Sequence, residues 1–139
     1  MIILDTNVLS ALMQREPDPA VIGWLDGLPA ESVWITTVTV FEVRFGLELL
    51  PAGRKRRRLE DAFDAALAED FEDRVLSFDP VAAERAGALA ASRRREGRPV
   101  EIRDVQIAGI VLARRATLAT RNLRHFVGTG LALVDPWAG

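Results

Sequence analysis

Apolar and polar positions follow two rhythms along the chain. Short apolar runs rich in β-branched residues ("IIL" after Met1, "SVWITTV", "RVLSF", "ATLAT" and "GLALVD") read as strands, the first of them buried on both faces. Between them lie stretches in which apolar residues recur every three or four positions. "NVLSALMQ" predicts a short helix, and "PDPAVIGWLDGLP" a second, with Pro19 near its start and Gly27 and Pro29 at its end. In "TVFEVRFGLELL" the residues Val38, Phe41, Phe45 and Leu49 keep helical spacing and Gly53 lies beyond the end, so Phe and Val there are expected to face the core. "RKRRRLEDAFDAALAEDF" repeats the pattern through Leu59, Phe63, Ala66 and Leu67. "DPVAAERAGALAASRRREG" predicts an Ala-rich helix capped by Asp79 with Pro80 at its first position. "EIRDVQIAGIVLARR" predicts a helix that is apolar on nearly every side. Strands and helices alternate throughout, which predicts a three-layer α/β/α sandwich around a mainly parallel central sheet. No repeat, low-complexity tract or linker-like segment interrupts the series, so residues 1–139 are expected to form a single domain.

Composition narrows the chemistry. With 0 Cys there is no disulfide, no thiolate nucleophile and no Cys-ligated zinc, and 1 His rules out histidine-rich metal sites. Tyr is absent too, which leaves acid–base work mainly to carboxylates or a metal-activated water. A net charge of −2, from 18 Lys+Arg against 20 Asp+Glu, does not suit a protein that coats nucleic acid indiscriminately. The cations nevertheless concentrate in "GRKRRRLED" and "ASRRREGR", which are either solvated helix faces or phosphate contacts. No apolar run is long enough to cross a membrane and no basic stretch precedes the apolar N-terminus, so the expected location is the cytoplasm.

Three acids sit oddly for packing. Asp5 follows the first apolar run directly, where it either caps the next helix or stands at the carboxyl edge of the sheet, the place where open α/β sheets bind ligands. Glu42 lies in an otherwise apolar helix and shares a face with Thr39 and Gly46, small neighbours that leave room beside a carboxylate; the alternative is an ordinary exposed Glu. Asp104 begins the most apolar helix and is either its cap or a site residue. The run "ATLAT" ends in Thr120, Arg121 and Asn122, repeating the design of the opening. A parallel sheet can bring Asp5, Glu42, Asp104 and Asn122 together at one edge, where like charges repel unless a cation holds them. Hard oxygen donors without His or Cys select Mg²⁺ or Mn²⁺, which share their shell with substrate phosphates. The pattern points to phosphoryl-transfer chemistry.

"ILDTNVLSAL", "TTVTVFEVRFGL", "EIRDVQIAGIVLARR", "ATLATRNLRHF" and "GLALVDPW", in this order over essentially the whole chain, resemble the PIN domains, and among them the VapC and FitB type of ribonuclease toxin. The resemblance implies that Asp5, Glu42 and Asp104 occupy the acidic motif positions. Asn122 falls where many relatives carry a fourth acid; it keeps an oxygen but removes a charge, which should weaken a second metal site. Thr6, Asn7 and Thr120 match positions that orient the acids, and His125 is expected to be a surface residue rather than a base. The implied activity is that of a Mg²⁺- or Mn²⁺-dependent endoribonuclease, the toxin of a toxin–antitoxin pair. Asp5 and Asp104 would hold the metal, with Glu42 direct or through water, and a metal-activated water would hydrolyse RNA. Implied partners are RNA, a VapB-like DNA-binding antitoxin whose tail lies over the active site, and a second copy of the chain, with larger assemblies in the antitoxin complex. Arg44, Arg54, Lys55, Arg56, Arg57, Arg93, Arg94 and Arg95 are the candidates for RNA contacts, and Trp24, Leu25, Val43 and Leu47 for apolar docking surfaces.

Two other readings compete. A catalytically silent PIN-like module would bind RNA or a partner, with Asn122 marking a lost site. The opening also resembles that of haloacid-dehalogenase-like phosphatases, but those need a second Asp two positions after the first, where this chain has Asn7.

Overall fold

A computed structural model describes Met1 to Ala138. Its five strands are β1 (Ile2–Leu4), β2 (Val33–Thr36), β3 (Val75–Leu76), β4 (Thr117–Ala119) and β5 (Ala132–Val134). The helices are α1 (Thr6–Leu12), α2 (Pro19–Asp26), α3 (Thr37–Leu49), α4 (Arg54–Ala65), α5 (Pro80–Arg95) and α6 (Ile102–Arg114). The strands lie in the order β3-β2-β1-β4-β5 and every neighbouring pair is parallel. Ile2 aligns with Val33 on one side and Thr117 on the other, so β1 is the centre of the sheet. Strand order reverses between β1 and β4, and the crevice at the carboxyl ends of those two strands is where such sheets take ligands.

Alternation along the strands divides the core in two. Ile3 and Leu118 face Ala82 of α5 and Ile107, Ala108, Ile110 and Val111 of α6. Leu4, Val33, Ile35 and Ala119 face the opposite way, toward Val8 and Leu9 of α1, Val21 of α2, Val43 and Leu47 of α3, and Phe63 of α4. The result is the expected three layers. Helix starts obey local chemistry: Asp18 caps α2 ahead of Pro19, Thr36 caps α3, and Asp79 caps α5 ahead of Pro80. β2 runs into α3 without a loop, which sets α3 directly above the carboxyl edge of the sheet.

One expectation about α3 fails. Phe41, Phe45 and Leu49 are 59%, 51% and 70% exposed, and the two Phe rings stack with centroids 6.1 Å apart on the outside of the molecule. Val38 is buried as expected, but its buried companions are Thr39, Val43 and Leu47 and not the Phe stripe. The same fact removes Val43 and Leu47 as docking residues, and Trp24 and Leu25 are partly buried against that core as well.

Gly109 permits the close approach of α5 and α6. A Cβ there would collide with the Ala82 carbonyl oxygen and come within 2.8 Å of the Ala86 Cβ. Backbone cannot yield as a flexible side chain does, so Gly109→Ala is expected to cost about 1–3 kcal/mol, read as a lower urea midpoint at unchanged slope.

Candidate active site

The backbone N–H of Asp5 donates to the Ala119 carbonyl at 2.9 Å, continuing the β1/β4 ladder one residue past the strand. The side chain is only 5% exposed, and both of its oxygens are engaged. One accepts from the backbone N–H of Thr6 at 2.8 Å; the other accepts from the Thr120 hydroxyl at 2.8 Å and from Asn7 Nδ2 at 3.3 Å. Capping and site are therefore not alternatives here: Asp5 caps α1 with one oxygen while β4 holds the other. Thr120 Oγ1 also accepts from Asn7 Nδ2 and from the Asn122 backbone, and Asn7 Oδ1 accepts from the Arg121 N–H. Thr6, Asn7 and Thr120 thus tie the ends of β1 and β4 around one buried carboxylate.

Glu42 reaches the same place from α3. Its Oε1 accepts from the Thr6 hydroxyl at 2.8 Å. Because the single Thr6 proton goes there, the 2.9 Å contact between the Thr6 and Thr39 hydroxyls has Thr39 as donor. Glu42 is half-buried, and a Cβ at Gly46 would meet nothing within 4 Å, so the carboxylate stays approachable. Asp104 sits in the first turn of α6, but the helix is capped by Glu101, whose Oε2 accepts from the Asp104 N–H at 2.9 Å. The Asp104 carboxylate is left for the site.

Burial is the first cause that raises the proton affinity of all three carboxyls above the ordinary range. Hydrogen bonds from Thr120 and Thr6 partly offset it at Asp5, as does the one from Thr6 at Glu42. Each also feels another acid: Asp5 feels Asp104, Glu42 feels Asp5, and Asp104 feels Glu101 and Glu42. These mutual effects place Asp5, Glu42 and Asp104 in one electrostatic field.

Sequence reasoning missed Arg103 and Glu101, and the contact that His125 makes. Arg103 stands 3.5 Å from Glu42 and 3.5 Å from Glu101, a cation inside the acidic group. Glu101 is the cap that frees Asp104. His125, exposed as expected of a surface residue, also places Nδ1 3.0 Å from Asp104 Oδ2. Acid and base types at Glu101 and Arg103, one helical turn or less from Asp104, were the available signal. Asn122 is exposed and joins the network through its backbone N–H on Thr120.

Among the described residues no three acidic or histidine side chains close into a ready metal-ligand group. Arg103 and Thr6 engage Glu42, and His125 engages Asp104. The donor set still suits Mg²⁺ or Mn²⁺, which prefer hard oxygens, keep several waters and need only one or two carboxylates. A cation would also relieve the repulsion that burial leaves in place.

The basic candidates scatter. Arg44 is paired to Asp64 at 2.6 Å and lies over the Phe63 ring, and Arg56 is paired to Glu48 and Glu60. Arg54, Lys55 and Arg57 are exposed on α4, and Arg94 and Arg95 at the end of α5. Of these candidates, Arg93 is the one that lines a cleft together with Asp104.

The sequence matches the PIN domain family over residues 2–128. It is 39% identical to the plasmid stability protein StbB of Pseudomonas syringae pv. tomato, covering 99% of both chains. It is 36% identical to the VapC ribonuclease Y4jK of Sinorhizobium fredii, covering 99% of this chain and 98% of that one. Toxin FitB of Neisseria gonorrhoeae is 32% identical over 99% of both. Among solved structures, FitAcB from Neisseria gonorrhoeae superposes with a TM-score of 0.90 at 32% identity, covering 99% of both chains. FitAB bound to an IR36 DNA fragment gives 0.89 at 32% identity, covering 99% of this chain and 96% of that one.

Proposed function

The chain belongs to the PIN domain family, and from that premise we propose that it is a Mg²⁺- or Mn²⁺-dependent endoribonuclease acting as the toxin of a toxin–antitoxin pair. The observation that carries the reading is the buried Asp5 carboxylate at the β1/β4 reversal, fixed through both oxygens and electrically coupled to Asp104. Asp5 and Asp104 would hold the ion, with Glu42 direct or through a water. When bound, the ion supplies a lowered water pKa and polarises a phosphodiester. The protein's part is orientation. Thr120 and Asn7 fix Asp5, Thr6 fixes Glu42, and His125 fixes Asp104, so the acids need little rearrangement to meet a substrate. Asn122 leaves the site one charge short of four acids, which favours a single ion.

The same reading assigns residues 1–139 to one PIN-like domain and gives it a DNA-binding antitoxin partner whose tail brings a basic side chain to the acids. Its setting would be the cytoplasm, and among the described residues no helix is long and apolar enough to cross a membrane. The exposed Phe41, Phe45 and Leu49 stripe supports a homodimer formed through α3, since solvated aromatic pairs of this kind mark contact surfaces. Phe41→Ser with Phe45→Ser is expected to leave circular dichroism unchanged and to halve the mass seen by light scattering.

The deciding experiment is incubation of total cellular RNA with the purified, antitoxin-free chain in Mg²⁺, Mn²⁺ or EDTA. Discrete fragments with either ion and none in EDTA are expected. A folded chain that cuts nothing with any ion would replace the nuclease by the silent binding module.

A further inference from the structure

A cleft of about 360 Å³ opens between the second half of α5, the start of α6 and the turn that follows β4. Leu89, Val105, Ala108 and Phe126 line it, and the last three are buried, so its floor is apolar. Arg93, Arg124 and His125 line it from the turn and from α5, and Glu101 and Asp104 from the start of α6. The turn is held in place before any ligand arrives. Arg93 donates to the carbonyls of His125 and Val127 at 3.2 and 3.3 Å, and Arg98 donates to Val127 at 3.1 Å. Arg124 is exposed and forms no ion pair among the described residues.

We propose that this cleft is a nucleotide subsite that takes the base flanking the scissile phosphodiester and favours bases bearing an exocyclic amino group. The placement rests on the nuclease reading, because Asp104 belongs both to the acidic group and to the cleft wall. The chemistry rests on the cleft itself. Its volume falls within the range of about 300–1,000 Å³ typical of small-ligand pockets. Apolar walls accept the face of any base, which a free phosphate would not need, whereas guanidinium groups on the rim pair with phosphate or stack on a base, which a purely apolar ligand would not need. Glu101 accepts from the Asp104 N–H and pairs with Arg103 but keeps further lone pairs, which reward the amino groups of adenine, cytosine or guanine. Uracil offers only an N3–H set between two carbonyl oxygens that the carboxylate repels.

The test is methyl NMR of the full-length chain, without divalent ions, titrated with the four nucleoside 5′-monophosphates and with inorganic phosphate. Methyl signals of Leu89, Val105 and Ala108 are expected to move with AMP, CMP and GMP, which bind about 3- to 10-fold more tightly than UMP, the worth of one hydrogen bond. Inorganic phosphate should leave them still. Leu89→Trp, which fills the cleft, and Arg124→Ala, at the surface, should each weaken AMP binding several-fold and blur the base preference beside the cut in RNA. Silent methyls, an equal response to phosphate alone, equal affinity for UMP, or full AMP affinity in the folded Arg124→Ala and Leu89→Trp proteins would each overturn the proposal. RNA cleavage with silent methyls removes the subsite and spares the nuclease; moving methyls without any cleavage remove the nuclease and overturn the placement beside a scissile bond, leaving a nucleotide-binding cleft.

Discussion

Asp5→Asn is expected to lower the rate of RNA cleavage by about 10³-fold or more, a loss of roughly 4 kcal/mol of transition-state stabilisation. Measured as single-turnover cleavage of a sequenced fragment, the loss should come with an unchanged circular dichroism spectrum, because Asn still accepts from the Thr6 N–H and keeps the α1 cap. The charge is what disappears. The substitution also puts an amide beside Asn7 Nδ2, which now donates to the carboxylate at 3.3 Å. Thr120→Ala, which removes one donor to Asp5 and keeps the charge, should fall about 10- to 100-fold, the usual cost of losing a partner that orients a ligand. A Thr120→Ala loss as large as that of Asp5→Asn would mean that the network, and not the Asp5 charge, carries the chemistry. Asp5→Asn with full activity would end the assignment outright.

The place of Asp5 was legible because two local rules agree on it: an apolar run that ends in an acid, and an Asx residue that precedes a helix. The identity of its partners was not. Thr120 is 115 residues away, and nothing in the sequence alone says that β4 lies beside β1 and not at an edge. The orienting role of Thr6, Asn7 and Thr120 came from the family pattern alone, and the hydrogen bonds now give each a job. Asp104 illustrates the opposite limit. Its position near a helix start made it look like a cap, yet α6 begins at Ile102, so Glu101 holds the N-cap position and folds forward to accept from the Asp104 N–H.

Helix α3 shows why periodicity alone misleads. Phe41, Phe45 and Leu49 recur every four residues, and so do Thr39, Val43 and Leu47. Both stripes satisfy the helical spacing, and apolar bulk favours the Phe stripe. The structure buries the other one because β2 enters α3 without a loop, which fixes the rotation of the helix about its axis. Thr39 then faces Thr6, and its hydroxyl, costly to bury alone, is satisfied there. The aromatic stripe is left outside. The strand lengths were overread for a related reason: "SVWITTV" and "RVLSF" yield strands of 4 and 2 residues, since the next residues turn away toward helix starts.

Asp104→Asn is expected to stabilise the metal-free protein at pH 7.5, raising Tm by a few degrees while destroying cleavage. Burial raises the proton affinity of Asp104, Glu42 and Asp5 in the fold, with repulsion from neighbouring acids adding to it. A carboxyl that holds its proton more tightly when folded opposes folding at any pH above its folded pKa, and that opposition fades as pH falls toward the unfolded value. Wild type should therefore gain stability on mild acidification from pH 7.5, and its deficit relative to Asp104→Asn should close over the same interval. Mg²⁺ acts on the same repulsion. At about 100 times its Kd it adds roughly 2.7 kcal/mol to wild type at pH 7.5 and far less to Asp104→Asn, so the order of the two Tm values reverses between EDTA and saturating Mg²⁺. The comparison needs only thermal melts of two proteins at two pH values with and without the ion. If Asp104→Asn melts below wild type in EDTA at pH 7.5, the carboxylate is stabilising the fold, and the picture of an acidic group held together against its own repulsion fails. If the order does not reverse with Mg²⁺ or Mn²⁺, Asp104 is not where the ion binds.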